Sequence, residues 1–149
     1  MTTVTEIQTT QVYQVFIKAT PEQIWEAITN PQMTEKYFYG ARIETSGDRR
    51  VSRGPDGKLY GDEPVLESDP PRRLVHEWRS LYDPELAAEE RSRVTWEIEE
   101  GEGGVCKLTL IHDRLEGAPK TAEHVHGEGW MRVLSGLKTL LETGEPLQT

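Results

Sequence analysis

Three histidines, His76, His112 and His126, can be sent to one interior side by strand alternation and helical spacing. An imidazole in apolar surroundings could ligate zinc, act as a general base or orient a ligand. Zinc is the weakest of these readings, because structural sites show tight paired spacings. His124 and His126, two residues apart, fall on roughly opposite sides of a helix. No metal and no other cofactor is expected. The bland alternative is a histidine hydrogen-bonded to a neighbour, with no chemistry. Tyr82 joins His76 and His112 as a candidate acid or base. Trp78, Trp96 and Trp130 could stack on a flat ligand, with Leu110 and Val133 sharing their apolar faces. For Trp25 and Trp130, each centred in a helical apolar stripe, plain core packing is the better reading. Tyr37, Phe38 and Tyr39 are expected to form one lip of a cavity, facing a second lip at His124–Gly129. No nucleophile–base–orienter set and no phosphate-cradling glycine loop can be read. Glu123 and Glu128 read as solvated.

These side chains need elements to hold them. Leu74, His76, Trp78 and Tyr82 share one strand parity, and Glu77 and Arg79 the other. Val94, Trp96 and Ile98 alternate in the same way, as do Cys106, Leu108, Leu110 and His112. The opposite parity is charged, so the sheet is expected to be one-sided. Val125, Trp130, Val133, Leu134, Leu137, Leu140 and Leu141 recur at three and four residues. That spacing predicts one long amphipathic helix from Lys120 to Glu142 lying on the sheet. Gly127, Gly129 and Gly136 each cost such a helix about 1 kcal/mol and mark a lip or a packing notch.

The remaining elements follow from local signals. Val12–Ile17 is β-branched and aromatic on both faces, which predicts a strand covered on both sides. Thr20-Pro21-Glu22-Gln23 is a capping box with proline at the first helical position, Ala19 and Ile24 are placed as a staple, and Asn30-Pro31 stops the helix. A second short helix is expected over Gln32–Tyr37. Strands are expected over Ala41–Thr45, Arg50–Arg53, Lys58–Ser68, Arg73–Tyr82, Ser92–Glu100 and Val105–Asp113. Pro64 predicts a bulge or an edge position, and Asp83–Arg91 reads as a surface excursion.

The bulk properties narrow the partners. At 149 residues the chain is expected to be one domain over 1–149, with 1–10 a flexible N-terminal segment. A net charge of −9 argues against nucleic acid, and the basic stretches Arg49-Arg50 with Arg53 and Arg72-Arg73 read as solvated surface. No signal peptide and no membrane span is expected, and the single Cys106 cannot form an internal bridge. A cytoplasmic protein, monomer or homodimer, is expected.

The stretch Ala19–Pro31 resembles the opening of the START-like, SRPBCC superfamily. More narrowly, it resembles the group homologous to the C-terminal domain of activators of the heat-shock protein 90 ATPase. Val65–Val75, Val94–Ile98, Leu108–His112 and Gly129–Gly144 are similar to that group's later stretches, in order. The resemblance implies an α+β helix-grip: a curved antiparallel sheet of six to seven strands gripping a long C-terminal helix, with two short helices after strand 1. Members of the superfamily include lipid and polyketide binders, hormone-receptor-like pockets, aromatases/cyclases and chaperone-associated domains. The expected function is non-catalytic binding of a small apolar or aromatic molecule between sheet and helix, with one or two polar anchors. Alternatives are a chaperone-associated stress-response module and a polyketide cyclase/dehydratase-like enzyme using His76, His112 or Tyr82. The full activators' separate N-terminal domain has no counterpart in these 149 residues, so the chaperone reading is expected to rank below ligand binding.

Overall fold

The computed structural model of the protein describes residues 9–147; most of the expected N-terminal segment 1–10 lies outside them. Seven antiparallel strands form one curved sheet in the order β1-β7-β6-β5-β4-β3-β2. They are β1 (Gln11–Ile17), β2 (Arg42–Ser46), β3 (Arg49–Arg53), β4 (Leu59–Asp69), β5 (Arg73–Trp78), β6 (Ser92–Glu100) and β7 (Cys106–Asp113). Two helices, α1 (Pro21–Thr29) and α2 (Pro31–Thr34), link β1 to β2, α3 (Pro84–Ala87) lies between β5 and β6, and α4 (Pro119–Val125) and α5 (Glu128–Thr143) follow β7. This is the expected α+β helix-grip.

Local chemistry explains most boundaries. Thr20 accepts from the Gln23 N–H at 3.1 Å, and Gln23 Oε1 accepts from the Thr20 N–H at 2.9 Å, so the capping box starts α1. Ala19 and Ile24, the expected staple, are both buried. In β7 every second residue is buried, so Cys106, Leu108, Leu110 and His112 face the core as their parity demands. On α5, Trp130, Val133, Leu134, Leu137 and Leu140 form the buried stripe over that concave face. Gly136 is a packing notch, since a Cβ there would lie 3.1 Å from Tyr37 Cβ. β4 pairs with β3 through Leu59–Pro64 and with β5 through Val65–Asp69, and the register slips between Val65 and Glu67. Pro64 therefore stands at the changeover beside a bulge, where a missing N–H costs no ladder bond.

Three expectations need correction, and a fourth needs an addition. The strand β1 is an edge, paired only with β7, and its outer residues Val12 and Phe16 are 55 % and 62 % exposed. Helices cover one face of it, and among the described residues nothing covers the other. The strand β5 ends at Trp78, so Tyr82 owes its position to the following loop and not to strand parity. That loop is pinned by the Leu81 N–H donating to Tyr60 O at 2.8 Å. The long C-terminal helix is broken: His126 is extended (ψ 140°) and Gly127 has φ 63° and ψ −108°, a conformation glycine alone adopts readily. The Gly127 N–H donates to Tyr13 Oη at 2.7 Å, which holds the break against β1. Finally, the Asp83–Arg91 excursion does structural work, because Glu89 accepts from the Lys120 and Thr121 N–H groups at 2.8 Å and so caps α4. No helix among the described residues is long and apolar enough to cross a membrane.

Candidate functional site

A cavity of about 420 Å³ lies between the sheet and the α4–α5 break. Its apolar walls come from Phe38, Ile43, Trp78, Val125, Trp130 and Val133. Phe38 lies in the turn after α2, just before Tyr39 (φ 52°) and Gly40 (φ 76°), whose left-handed backbones turn the chain into β2. The aromatic walls touch: Trp78 lies 5.3 Å from Trp130 and 6.2 Å from Phe38 by ring centroid.

The inner end is polar. The β2–β3 hairpin sets Thr45 opposite Arg50 and Ile43 opposite Ser52. Across β3 and β4, Arg50 stands opposite Glu63 and Ser52 opposite Gly61. One parity thus delivers Arg50, Ser52 and Glu63 to the cavity together. Arg50 is 2 % exposed; its Nη1 donates to Ile28 O at 3.0 Å and to Thr45 Oγ1 at 2.6 Å, and its Cζ sits 5.9 Å from the Trp96 ring centre. Burial pulls its pKa down, opposed by Tyr37 and Glu63. Glu63, 6 % exposed, has its carboxyl pushed up to about 7 by burial, against a backbone hydrogen bond from the Arg79 N–H (3.3 Å) and the charge of Arg50. Gly61 makes room for that carboxyl, since a Cβ would come within 2.5 Å of Glu63 Oε1.

Among the described residues, four buried side-chain polar atoms have no hydrogen-bond partner: Arg50 Nη2, Trp78 Nε1, Arg79 Nε and Ser80 Oγ. All four residues line this cavity. Ser80 Oγ lies within electrostatic reach of Tyr82 without a hydrogen bond of proper geometry.

The histidines have a different account. The Trp96 Nε1–H donates to His76 Nε2 at 3.0 Å, which leaves the proton on His76 Nδ1, facing Glu77 O at 2.8 Å. The Trp130 Nε1–H donates to His112 Nδ1 at 3.1 Å, so His112 Nε2 carries the proton toward Ser92 Oγ at 2.6 Å. Each ring is neutral with its basic nitrogen occupied. Burial holds His76 well below the ordinary histidine range and lowers His112 to about 3. Neither has a free lone pair with which to accept a substrate proton.

The mouth is tied across. Tyr39 Oη donates to Gly129 O at 2.9 Å, and Tyr82 Oη meets His124 Nε2 at 2.6 Å, so both flanking loops reach the α4–α5 break. Of the twelve residues singled out from sequence, Phe38, Tyr39, His76, Trp78, Tyr82, Trp130 and Val133 line the cavity. Tyr37, Trp96, Leu110 and His112 are buried but are not among its lining residues. His126 is exposed, because the break turns it outward, and His124 takes the place at the lip. Sequence reasoning missed Arg50 and Glu63, and the expectation of a solvated Arg50 is overturned by its burial. The available signal was the tight turn at Gly47-Asp48, whose register places Arg50 on the same face as Ile43. Among the described residues no three His, Cys, Asp or Glu side chains come together as a metal site.

Residues 18–142 match the family model described as activator of Hsp90 ATPase homolog 1-like protein. The fold is similar to that of the MLL2253 protein from Mesorhizobium loti, with a TM-score of 0.72 and 24 % identity over 89 % of this chain and 96 % of that one. It is also similar to DynU16, a protein in the dynemicin biosynthetic locus, with a TM-score of 0.73 and 24 % identity over 93 % of this chain; the match spans 49 % of DynU16. A third likeness is to the Aha1 dimer from Colwellia psychrerythraea, with a TM-score of 0.70 and 18 % identity over 92 % of this chain and 98 % of that one. No curated protein matches the chain. With 125 consecutive residues under one family model and the helix-grip architecture in place, the chain belongs to the activator of Hsp90 ATPase homolog 1-like family of the START-like superfamily.

Proposed function

We propose that this protein binds a small hydrophobic or aromatic molecule, without catalysis, in the cavity between the sheet and the α4–α5 break. One observation carries the reading: every buried side-chain polar atom left unpartnered among the described residues belongs to a residue lining this cavity. Buried donors without partners each cost about 1–3 kcal/mol, and an occupant with matching groups removes that cost. The volume of about 420 Å³ falls within the range of small-molecule sites, and the aromatic walls suit a flat apolar body. The histidine-based cyclase reading loses support, since the basic nitrogens of His76 and His112 are held by indole donors. Chaperone association, which the family description suggests, would use outer surface, and co-purification tests it separately.

Native mass spectrometry of the full chain purified from a lysate tests the proposal, together with tryptophan fluorescence titrated with 2-naphthamide and 2-naphthoate. Saturable quenching, abolished when Val133→Phe fills the cavity, is the expected result. Unaltered emission with both probes and a bare protein mass would overturn it.

A further inference from the structure

We propose that the molecule this cavity takes is an acid: a flat apolar body of two or three fused rings bearing a carboxylate, which Arg50 receives at the inner end. This rests on the cavity being a binding site and adds the chemical class of its occupant.

The hydrogen-bond inventory sets that class. Of the four unpartnered atoms, Arg50 Nη2, Trp78 Nε1 and Arg79 Nε can only donate, and Ser80 Oγ can do either. The missing partner must therefore be rich in acceptors. A ketone offers two lone pairs, whereas a carboxylate offers about four and can take two donors from one guanidinium. Charge points the same way. Arg50 is a buried cation whose hydrogen-bond acceptors, Ile28 O and Thr45 Oγ1, are neutral. Buried charges are ordinarily paired. Its cross-strand neighbour Glu63 has its carboxyl pushed up to about 7 by burial, so it is a weakened counter-charge. In its protonated form Glu63 is a further donor, able to share its proton with an incoming carboxylate.

The walls set the body. A cavity of roughly 150 Å³ holds one benzene, so about 420 Å³ leaves room for two or three fused rings. Trp78, Trp130 and Phe38 meet edge to face or tilted at 5.3–6.2 Å, which lines the space with ring faces and edges.

The test compares probes of one frame and three charges: 2-naphthoate, 2-naphthamide and 2-naphthylmethylamine, titrated against the full chain by tryptophan fluorescence and calorimetry. The expected order is naphthoate at least tenfold tighter than naphthamide, with the amine weakest. Arg50→Met should bring naphthoate to within about threefold of naphthamide while naphthamide itself is little changed. Trp78→Phe, which removes one N–H and keeps a ring, should weaken naphthoate several-fold and keeps the test independent of whether Arg50→Met folds. Naphthamide binding as tightly as naphthoate in the unmodified protein would overturn the acid assignment and leave cavity binding standing. Failure of all three probes to bind, together with a bare protein mass in native mass spectrometry, would overturn both readings.

Discussion

Trp130 and Trp78 lie 5.3 Å apart and face opposite hydrogen-bond situations. On the Trp130 side, two indoles donate to two neutral histidines, and those histidines pass their protons to Glu77 O and Ser92 Oγ, so each ring nitrogen named is occupied. On the Trp78 side, the indole N–H has no hydrogen-bond partner among the described residues, in company with Arg50 Nη2, Arg79 Nε and Ser80 Oγ. The same residue type, in the same cluster, serves stability in one region and stays uncommitted in the other. A satisfied buried network rigidifies and specifies the core, whereas an unsatisfied one stores a cost that only a ligand or water can relieve. The difference separates polar groups already committed to the core from those left for an occupant, even though Trp130 and His76 also line the cavity.

The comparison can be broken most severely at Trp130. Trp130→Ala removes a fully buried indole, leaves a cavity under α5 and strips His112 of its donor. It should cost about 3–5 kcal/mol, read as a lower urea midpoint with an unchanged slope. A variant as stable as the parent would show that α5 does not pack on the sheet through this residue. His112→Leu comes next, because it keeps the volume roughly constant, orphans the Trp130 Nε1–H and leaves Ser92 Oγ only its 3.4 Å bond to Trp78 O. A loss of about 1–3 kcal/mol is expected, with naphthamide affinity unchanged, since His112 is not a lining residue.

The two regions should also answer pH with opposite signs. His76 and His112 have folded pKa values below the ordinary 6.5, so the unfolded chain binds more protons than the folded one between those limits. Their contribution is complete above about pH 6.5 and drains as the pH falls, toward about 3 for His112. Glu63 is raised from 4.5 to about 7, so its contribution is complete below pH 4.5 and is lost as the pH rises through 7. Glu63→Gln should therefore gain in melting temperature relative to the parent at pH 8 and show little gain at pH 5. Equal gains at both values would mean that Glu63 is not held in its neutral form.

How far the sequence could be read follows the same division. The capping box at Thr20, the stop at Asn30-Pro31 and the parity of His76, Trp96 and His112 rest on local periodicity, and the structure reproduces them. The histidine–tryptophan side was legible because its residues lie on strands long enough to alternate visibly. Arg50 was not. It sits in a five-residue strand among other arginines, where composition says solvent, and only the hairpin register with Ile43 and Thr45 turns it inward. His124 and His126 exchanged roles for a similar reason: one extended residue and one left-handed glycine break a helix that apolar spacing alone reads as continuous.

The smallest expected effect tests the least visible part of the uncommitted region. Gly61 has no charge and no donor to offer, yet its missing side chain leaves the space in which the Glu63 carboxyl folds back beside Ser52. In Gly61→Ala the new methyl would meet Glu63 Oε1 at 2.5 Å and Ser52 Oγ at 2.9 Å, so the carboxyl must swing away. The obstacle is the end of a flexible side chain, so stability should fall by about 1 kcal/mol or less, within the range of ordinary substitutions. The Arg79 N–H would lose its acceptor, and Glu63 would move relative to Arg50. The carboxyl would then titrate closer to 4.5, and the Glu63→Gln gain at pH 8 should shrink when measured in the Gly61→Ala background. An undiminished gain would mean that Gly61 only fills a place in the strand, and that the Arg50–Glu63 pair is set by register alone.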